Sequence, residues 1–214
     1  MYSMRRVRFC TGFIGLAIVS CTVLISACAD EAGAPTGDEG DTSALSKWDA
    51  EPVEDYPYPV EMLVNEAPSA DGRHYGQGEF AGYNTTEYGT VPPTSGKHIG
   101  ELAMPGVYDG IPIPNEVVVH NMEHGYVIVW YNCNADPMLN SEGCGQLLNT
   151  LTAWAEPLVA GGRSLVVTPH SETESRITLT AWQFRDVMEE VDPERIQVFI
   201  DTFECHYDPE DTCG

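Results

Sequence analysis

Basic residues are scarce in this chain. Its 214 residues include 10 Lys and Arg but 33 Asp and Glu. Arg5, Arg6 and Arg8 lie within the first 27 residues, which contain no acidic side chain, so the rest of the chain has seven basic residues and a net charge of −26. A surface of this sign repels phosphates and anionic lipid headgroups. We therefore expect no nucleic-acid partner, and we interpret the charge as a means of solvation.

Several catalytic motifs are also absent from the sequence. It contains no G-x-S-x-G nucleophile elbow and no C-x-x-C redox pair. The stretch TSGK does not form a phosphate loop, because Gly89 and Gly96 are seven residues apart rather than five and Lys97 is followed by His98. We accordingly assign no catalytic residue and favour a role without catalysis, with enzyme activity left open.

Long hydrophobic runs are absent except near the start of the chain. The basic residues described above precede the run FIGLAIVSCTVLISA, a pattern typical of a secretory signal. The letters ISAC match a bacterial lipobox and predict cleavage before Cys28, with a lipid on its sulfur. An uncleaved anchor or cleavage elsewhere are the alternatives. Ala29 is not the aspartate of inner-membrane retention, so we expect an outer-membrane lipoprotein facing the periplasm or the exterior.

The organisation of the rest follows from its composition. Residues 1–27 are the predicted signal peptide, and residues 28–55 are acidic and rich in small polar residues, as in a flexible tether. Residues 56–214 are long enough for a single domain with a core. The only membrane contact that we expect is therefore the lipid at Cys28, and no protein partner is indicated.

Four cysteines remain in the predicted domain. An even number in an exported protein favours disulfides, and the simplest pairing is local, Cys133 with Cys144 and Cys205 with Cys213. Each pair would close a loop that is rich in turn-forming residues. A four-thiolate zinc site is the alternative, but neither interval has the short spacing of a zinc knuckle.

Hydrophobic patterning predicts an α+β domain with a mostly antiparallel sheet. Residues 56–116, which we call the N-terminal wrap, are rich in Pro and Gly and predict loops. Four stretches predict strands, VVVH, YVIVWY, SLVVTP and RITLTAW. QLLNTLTAWAEPLVAGG has helical spacing, and the amphipathic stretches QFRDVMEEV and PERIQVFIDTF supply a final helical region, with Asp192 as an N-cap. The predicted order is β-β-α-β-β-α.

The stretch VVVHNMEHGYVIVWY places three ionisable side chains between two apolar segments. Burying His120, Glu123 and His124 without partners costs several kcal/mol, so a hydrogen-bond network or a metal is required. On one straight strand the two histidines would lie about 13 Å apart, too far for one ion. We therefore expect a turn, or one helical turn, that brings them together at the mouth of the sheet. His98, in the wrap, is the candidate for a third ligand.

These residues resemble a known family. PPTSGKH (92–98), GVYDGIPIPNEVVVHNMEHGYVIVWY (106–131) and a late TAW are similar to the bacterial domain-of-unknown-function 3105 family, with its PPTSGxH loop and HxxEHG motif. The resemblance covers roughly residues 85–203. It implies a shared site at His98, His120, Glu123, His124 and Gly125, and it implies no established activity.

Three interpretations of this site are open. The one that we favour is a transition-metal module with His98, His120 and His124 as ligands. Glu123 would not bind the metal but would accept a hydrogen bond from a ligating histidine and so orient it. A sulfur ligand would favour copper, and without one zinc is equally suitable; the candidates are Met104, Met122 and Met138. HNMEH also fits the zinc-hydrolase pattern H-x-x-E-H, but that motif needs a helix and here valines precede it. The third interpretation is a buried His/Glu network that holds the wrap, or a partner-binding lipoprotein, without metal.

Overall fold

The computed structural model describes residues 49–63, 74–135 and 141–213, which lie in one compact unit. Its three helices and six strands follow one another as β1 Glu61–Met62, β2 Gly106–Val107, α1 Asn115–Glu123, β3 Val127–Tyr131, α2 Ser141–Ala160, β4 Leu165–Pro169, β5 Ile177–Ala181, β6 Phe184–Met188 and α3 Pro193–Phe203. The fold is α+β, as the sequence predicted. None of the helices in these ranges is long and apolar enough to cross a membrane.

One mixed sheet organises the domain, with the strand order β1-β6-β5-β3-β4-β2. The pairs β1/β6, β6/β5 and β5/β3 are antiparallel, whereas β4 is parallel to both β3 and β2, so the sheet is mostly antiparallel. β3 lies inside the sheet and every one of its residues is buried, which explains its unbroken run of apolar side chains. The parallel connection from β3 to β4 needs a crossover, and α2 provides it.

The stretch VVVH is helical, so the predicted first strand is wrong. Pro114 precedes α1, where its fixed φ and missing N–H suit a helix start. Residues 116–123 are all buried, and α1 packs against β3. Because the helix is buried nearly all round, its sequence lacks the polar stripe of a surface helix, and its valines resemble a strand.

The helical region predicted for the stretch QFRDVMEEV is also wrong. Residues 184–188 form β6, which pairs with β5 and β1, and its side chains alternate between buried and more exposed positions. Trp182 and Gln183 connect β5 to β6, and Gln183 has a positive φ of 63°. The helix that follows is the predicted one, and the Asp192 side chain caps it by accepting hydrogen bonds from the N–H groups of Glu194 and Arg195.

The wrap is mostly irregular and is held to the sheet by hydrogen bonds. The backbone of Gln183 donates to the Thr94 carbonyl over 2.9 Å and accepts from the Leu63 N–H over 2.8 Å. Its side-chain oxygen accepts from the N–H of Ala50, which is 1% exposed. The end of the segment that the sequence predicted to be a tether is therefore packed on the domain at Ala50.

Both local disulfides are present, Cys133–Cys144 and Cys205–Cys213, with Cα–Cα distances of 5.3 and 5.6 Å. This confirms the predicted pairing and makes a four-thiolate zinc site wrong. The predicted signal peptide, Cys28 and most of the predicted tether lie outside the described residues, as does Met138.

Candidate metal centre

His98 enters the centre from the wrap. Its side chain is completely buried, and its Nδ1 lies 2.8 Å from the carbonyl oxygen of Gly96. Gly96 has a φ of 122°, a conformation that L side chains rarely adopt, and this lets the loop fold back on the ring. The Trp182 ring lies edge-on to His98 at 6.3 Å between centroids. The loop, the glycine and the tryptophan together fix the direction of the His98 ring.

The last turn of α1 supplies His120 and Glu123. Residues three apart share one face of a helix, so both side chains project to the same place. The Nδ1 of His120 lies 2.9 Å from the carbonyl oxygen of Glu101, in the wrap. Glu123 is 1% exposed, and its Oε2 lies 2.9 Å from the Nε2 of His98. The sequence predicted a turn or one helical turn between two strands, and the structure has the end of the longer helix α1 in this place.

His74 completes the group. It forms a parallel β-bridge with His98, fixed by a 2.8 Å hydrogen bond from the N–H of Tyr75 to the carbonyl of His98. Its Nε2 lies 3.7 Å from Glu123 Oε2, and its side chain is 46% exposed. One ligand atom from each of His74, His98, His120 and Glu123 lies within 4.8 Å of the other three. Three imidazoles and one carboxylate thus converge, three of them buried and one at the surface.

Hydrogen bonding fixes which ring nitrogens face this space. A carbonyl oxygen can only accept, so the Nδ1 atoms of His98 and His120 both carry hydrogen and donate to Gly96 and Glu101. The Nε2 atoms are then left to face the centre. Metal-binding histidines usually have this arrangement, in which the other ring N–H is held by a carbonyl or a carboxylate.

The environment keeps His120 neutral. Burial lowers the pKa of its imidazole to about 4, with further lowering by the nearby rings of His98, His124 and His74, although the hydrogen bond to Glu101 acts in the opposite direction. A neutral imidazole is the form that binds a metal, since the ligand must offer a lone pair. At pH 7 His120 is therefore in the binding form without losing a proton.

The remaining predicted ligands lie around this group rather than in it. His124 is the C-cap of α1, and its Nε2 lies 2.9 Å from the Nε2 of His120. Met122 is fully buried and lines a small apolar space with Trp182 and Phe184, whereas Met104 is 74% exposed. We therefore assign no sulfur ligand to the centre.

Sequence reasoning missed His74, which lies in a polar stretch of the wrap. Its neighbours in DGRHYGQG carry no ligand spacing, and only the bridge to His98 brings it to the centre. The objection to an H-x-x-E-H helix was also wrong, because α1 is a helix. The context still differs from that motif, since Glu123 is bonded to His98 and His124 ends the helix.

The larger clefts of the molecule lie elsewhere. One of about 500 Å³ is lined by residues such as Tyr88, Ile113 and His170, and one of about 650 Å³ by residues such as Glu174 and Arg185. No residue of the His/Glu group lines either of them. The group therefore lies apart from both clefts, and it reaches the surface at His74.

A family model described as "Protein of unknown function (DUF3105)" matches residues 81–213, more than half of the chain. The matched range includes His98, His120 and Glu123, and it begins after His74. No curated protein matches the chain, and no solved structure does. The resemblance inferred from the sequence is confirmed.

Proposed function

Because this chain belongs to the DUF3105 family, whose function is unknown, we propose from its own residues that it binds one transition-metal ion through His74, His98 and His120, with Glu123 beside them. The observation that carries the proposal is the shared arrangement of His98 and His120, whose Nδ1 atoms are each held by a backbone carbonyl. Their Nε2 atoms are thereby directed at a third imidazole and a carboxylate.

The dimensions of the group support an ion as its occupant. Two ligand atoms on one tetrahedral ion, with bonds of about 2.0–2.1 Å, lie about 3.4 Å apart. The separations of 2.9 Å from Glu123 Oε2 to His98 Nε2 and 3.7 Å to His74 Nε2 fall on either side of that value. His74 is the one member of the group with an exposed side chain, at 46%. A small inward shift of this ring would close the group around an ion.

The donor set limits which metals are suitable. Imidazole nitrogen binds zinc and copper well, whereas magnesium and calcium prefer sets made only of oxygen. The proposed ion is therefore copper or zinc. The net charge of −26 without the first 27 residues also concentrates cations near the surface.

The proposed location is the cell envelope. The first 28 residues have the order of a lipoprotein signal, with basic residues, an apolar run and ISAC. Local disulfides suit an oxidising compartment. We place the domain on a lipid at Cys28, at the outer membrane.

Metal content tests the function directly. Protein prepared from the periplasm, stripped with chelator and reloaded with copper or zinc, should retain about one equivalent of metal by elemental analysis. His98→Ala and His120→Ala should each reduce this to less than about a tenth of an equivalent. His206→Ala is the matched control and should retain the full amount, because the exposed His206 ring hydrogen-bonds to the Glu51 carbonyl over 2.9 Å and is not part of the His/Glu group.

One observation favours a second function. The 2.9 Å contact between His98 Nε2 and Glu123 Oε2 also has the length of a hydrogen bond, which forms without a metal when one of the two groups carries a further proton. A purely structural network in a partner-binding lipoprotein would leave wild-type protein without metal uptake. His98→Ala would then lower the midpoint of thermal unfolding equally with and without added metal.

A further inference from the structure

The disulfide-closed C-terminal loop, residues 205–213, lies directly against the HxxEHG motif. The N–H of Cys205 donates to the carbonyl of Gly125 over 3.0 Å. A Cβ added to Gly125 would lie 3.0 Å from both Cys205 Cα and Cys213 Sγ, so the two segments touch without room for a side chain. The loop is therefore part of the surroundings of His124, the residue that precedes Gly125.

A chain of hydrogen bonds connects this loop to the His124 ring. Thr212 Oγ1 lies 2.6 Å from His124 Nδ1 and donates its own hydrogen to Asp208 Oδ1 over 3.2 Å. Asp208 is held in turn by the N–H of Cys213, 2.5 Å from its Oδ2. When the Thr212 hydroxyl gives its one hydrogen to Asp208, its oxygen accepts from the N–H of His124 Nδ1. His124 thus has the same arrangement as His98 and His120: Nδ1 is hydrogen-bonded to a neighbouring oxygen, and Nε2 points away from that oxygen.

The direction of His124 Nε2 is informative. It faces His120 Nε2 over 2.9 Å, and His120 Nδ1 already carries the ring hydrogen for its bond to Glu101. Two Nε2 lone pairs at this distance repel each other unless a proton or a metal ion lies between them, and Glu210 Oε2, 3.5 Å from His124 Nε2, favours the added positive charge. Two nitrogens bound at about 2.0–2.1 Å to one ion lie about 2.9 Å apart when the angle at the ion is close to 90°. Such an angle suits the tetragonal geometry of Cu(II) better than a tetrahedral ion.

We propose that the C-terminal loop belongs to the metal centre: Thr212 positions His124 as an additional nitrogen ligand next to His120, on a tetragonal Cu(II) ion. The inference rests on the proposed function and specifies its metal and one more ligand. Thr212 acts as a positioning residue and does not touch the ion. The Cys205–Cys213 bridge keeps Thr212, the neighbour of Cys213, against the His124 ring.

The second disulfide provides a matched control for this role. Cys133 lies two residues after the end of β3, whereas His124 lies three residues before its start. At about 3.3 Å per strand residue, the length of β3 alone separates them by more than about 13 Å. Opening the Cys133–Cys144 bridge removes the same kind of bond without touching the His124 side of the domain.

The test uses Cu(II) alone as the probe and the full folded chain. Affinity is measured by competition with a chelator, and coordinated imidazoles are counted by pulsed EPR of the remote ring nitrogens. We expect Thr212→Val and the pair Cys205→Ser with Cys213→Ser to weaken Cu(II) binding about 10-fold or more, as loss of an orienting partner does, and to lose one imidazole. Thr212→Ser, which keeps the hydroxyl, should restore affinity to within about twofold of wild type. Cys133→Ser with Cys144→Ser should leave both readouts unchanged.

The outcomes separate this inference from the proposed function. Wild-type imidazole number and affinity in both Thr212→Val and the opened loop would overturn the role of the loop while leaving the metal centre intact. An equal loss in Thr212→Ser, or in the Cys133/Cys144 variant, would overturn it as well, because the effect would then be one of general stability. Failure of wild-type protein to bind Cu(II) or Zn(II) at all would overturn the proposed function itself.

Discussion

Glu116 illustrates how a single buried carboxylate organises the wrap. It is completely buried at the start of α1, and its oxygens accept hydrogen bonds from the backbone N–H groups of Asn84, Thr85 and Thr86 and from the Thr86 hydroxyl. Burial raises the pKa of Glu116, but hydrogen bonds from Asn84 and Thr86 outweigh it, so the net effect is a lowered pKa. The charged form is thus the one that fits the fold.

This pKa has a definite consequence for stability. A carboxyl group whose pKa is lower in the folded than in the unfolded state stabilises the fold above the unfolded value of about 4.3, and this contribution is lost as the pH falls through the folded value. Glu116→Gln should lower the free energy of unfolding at pH 7 by about 1–3 kcal/mol, since buried donors lose a charged acceptor. The deficit should shrink at pH 3. Urea unfolding at both pH values measures it.

Glu87→Gln is the control for charge alone, because Glu87 is exposed on the same segment. It should change the free energy of unfolding by less than about 0.5 kcal/mol. A deficit for Glu116→Gln that is equal at pH 7 and pH 3 would contradict the assignment of a charged, hydrogen-bonded carboxylate.

Residue chemistry also decided which parts of the centre could be predicted. His98, His120 and Glu123 were identifiable because polar side chains next to apolar segments must find partners when they are buried. His74 is half-exposed in a loop, so its sequence carries no burial signal. It also lies before the residues that match the family. Only the β-bridge between His74 and His98 reveals it.

At the scale of elements, α1 and β6 were the two errors, and they share a cause. Intrinsic preferences place valine in strands and amphipathic mixtures in helices, but burial and pairing decide when a segment is short. α1 is nine residues long and buried nearly all round. β6 pairs with β5, the strand just before it, and with β1, which is distant in sequence. In contrast, β3, β4, β5, α2 and α3 were predictable, because their patterns agree with their surroundings.

The turn between α1 and β3 allows a test at this scale. Gly125 has a φ of 75° and is in close contact with Cys205 and Cys213. Gly125→Ala should destabilise the domain by about 2–5 kcal/mol, of which about 1–2 comes from the left-handed conformation and about 1–3 from crowding. Chemical unfolding under non-reducing conditions measures the loss.

Gly110 separates these two contributions. Its φ of 69° is similar, but an added Cβ would meet nothing within 4 Å. Gly110→Ala should therefore cost only about 1–2 kcal/mol. Equal losses for the two variants would show that the C-terminal loop is not packed against the motif.

For the whole molecule, hydrophobic patterning predicted the α+β class, because the class depends on the pattern of many segments at once. The sheet contains parallel β2/β4 and β3/β4 pairs as well as the antiparallel majority. The chain order did not reveal these pairs, because strand neighbours that are distant in sequence leave no local pattern. The predicted lipid anchor lies outside the described residues and remains a prediction.

Attachment to the membrane can be tested on the full chain. Wild-type protein should be recovered with the membrane fraction, and mass spectrometry of its N-terminal peptide should show a lipid on Cys28. Cys28→Ala should abolish the lipid, whereas Cys21→Ala, which removes the other cysteine near the lipobox, should not. An unmodified Cys28 in membrane-bound wild type would contradict the lipoprotein assignment.

The most direct test of the metal centre is X-ray absorption spectroscopy of protein loaded with one equivalent of copper or zinc. The structure predicts a first shell of nitrogen and oxygen at about 2.0–2.1 Å, with the multiple scattering of at least three imidazoles. His98→Ala should remove one imidazole from that pattern. A shell made only of water and carboxylate oxygen, or one containing sulfur at about 2.3 Å, would place the metal elsewhere and contradict the account.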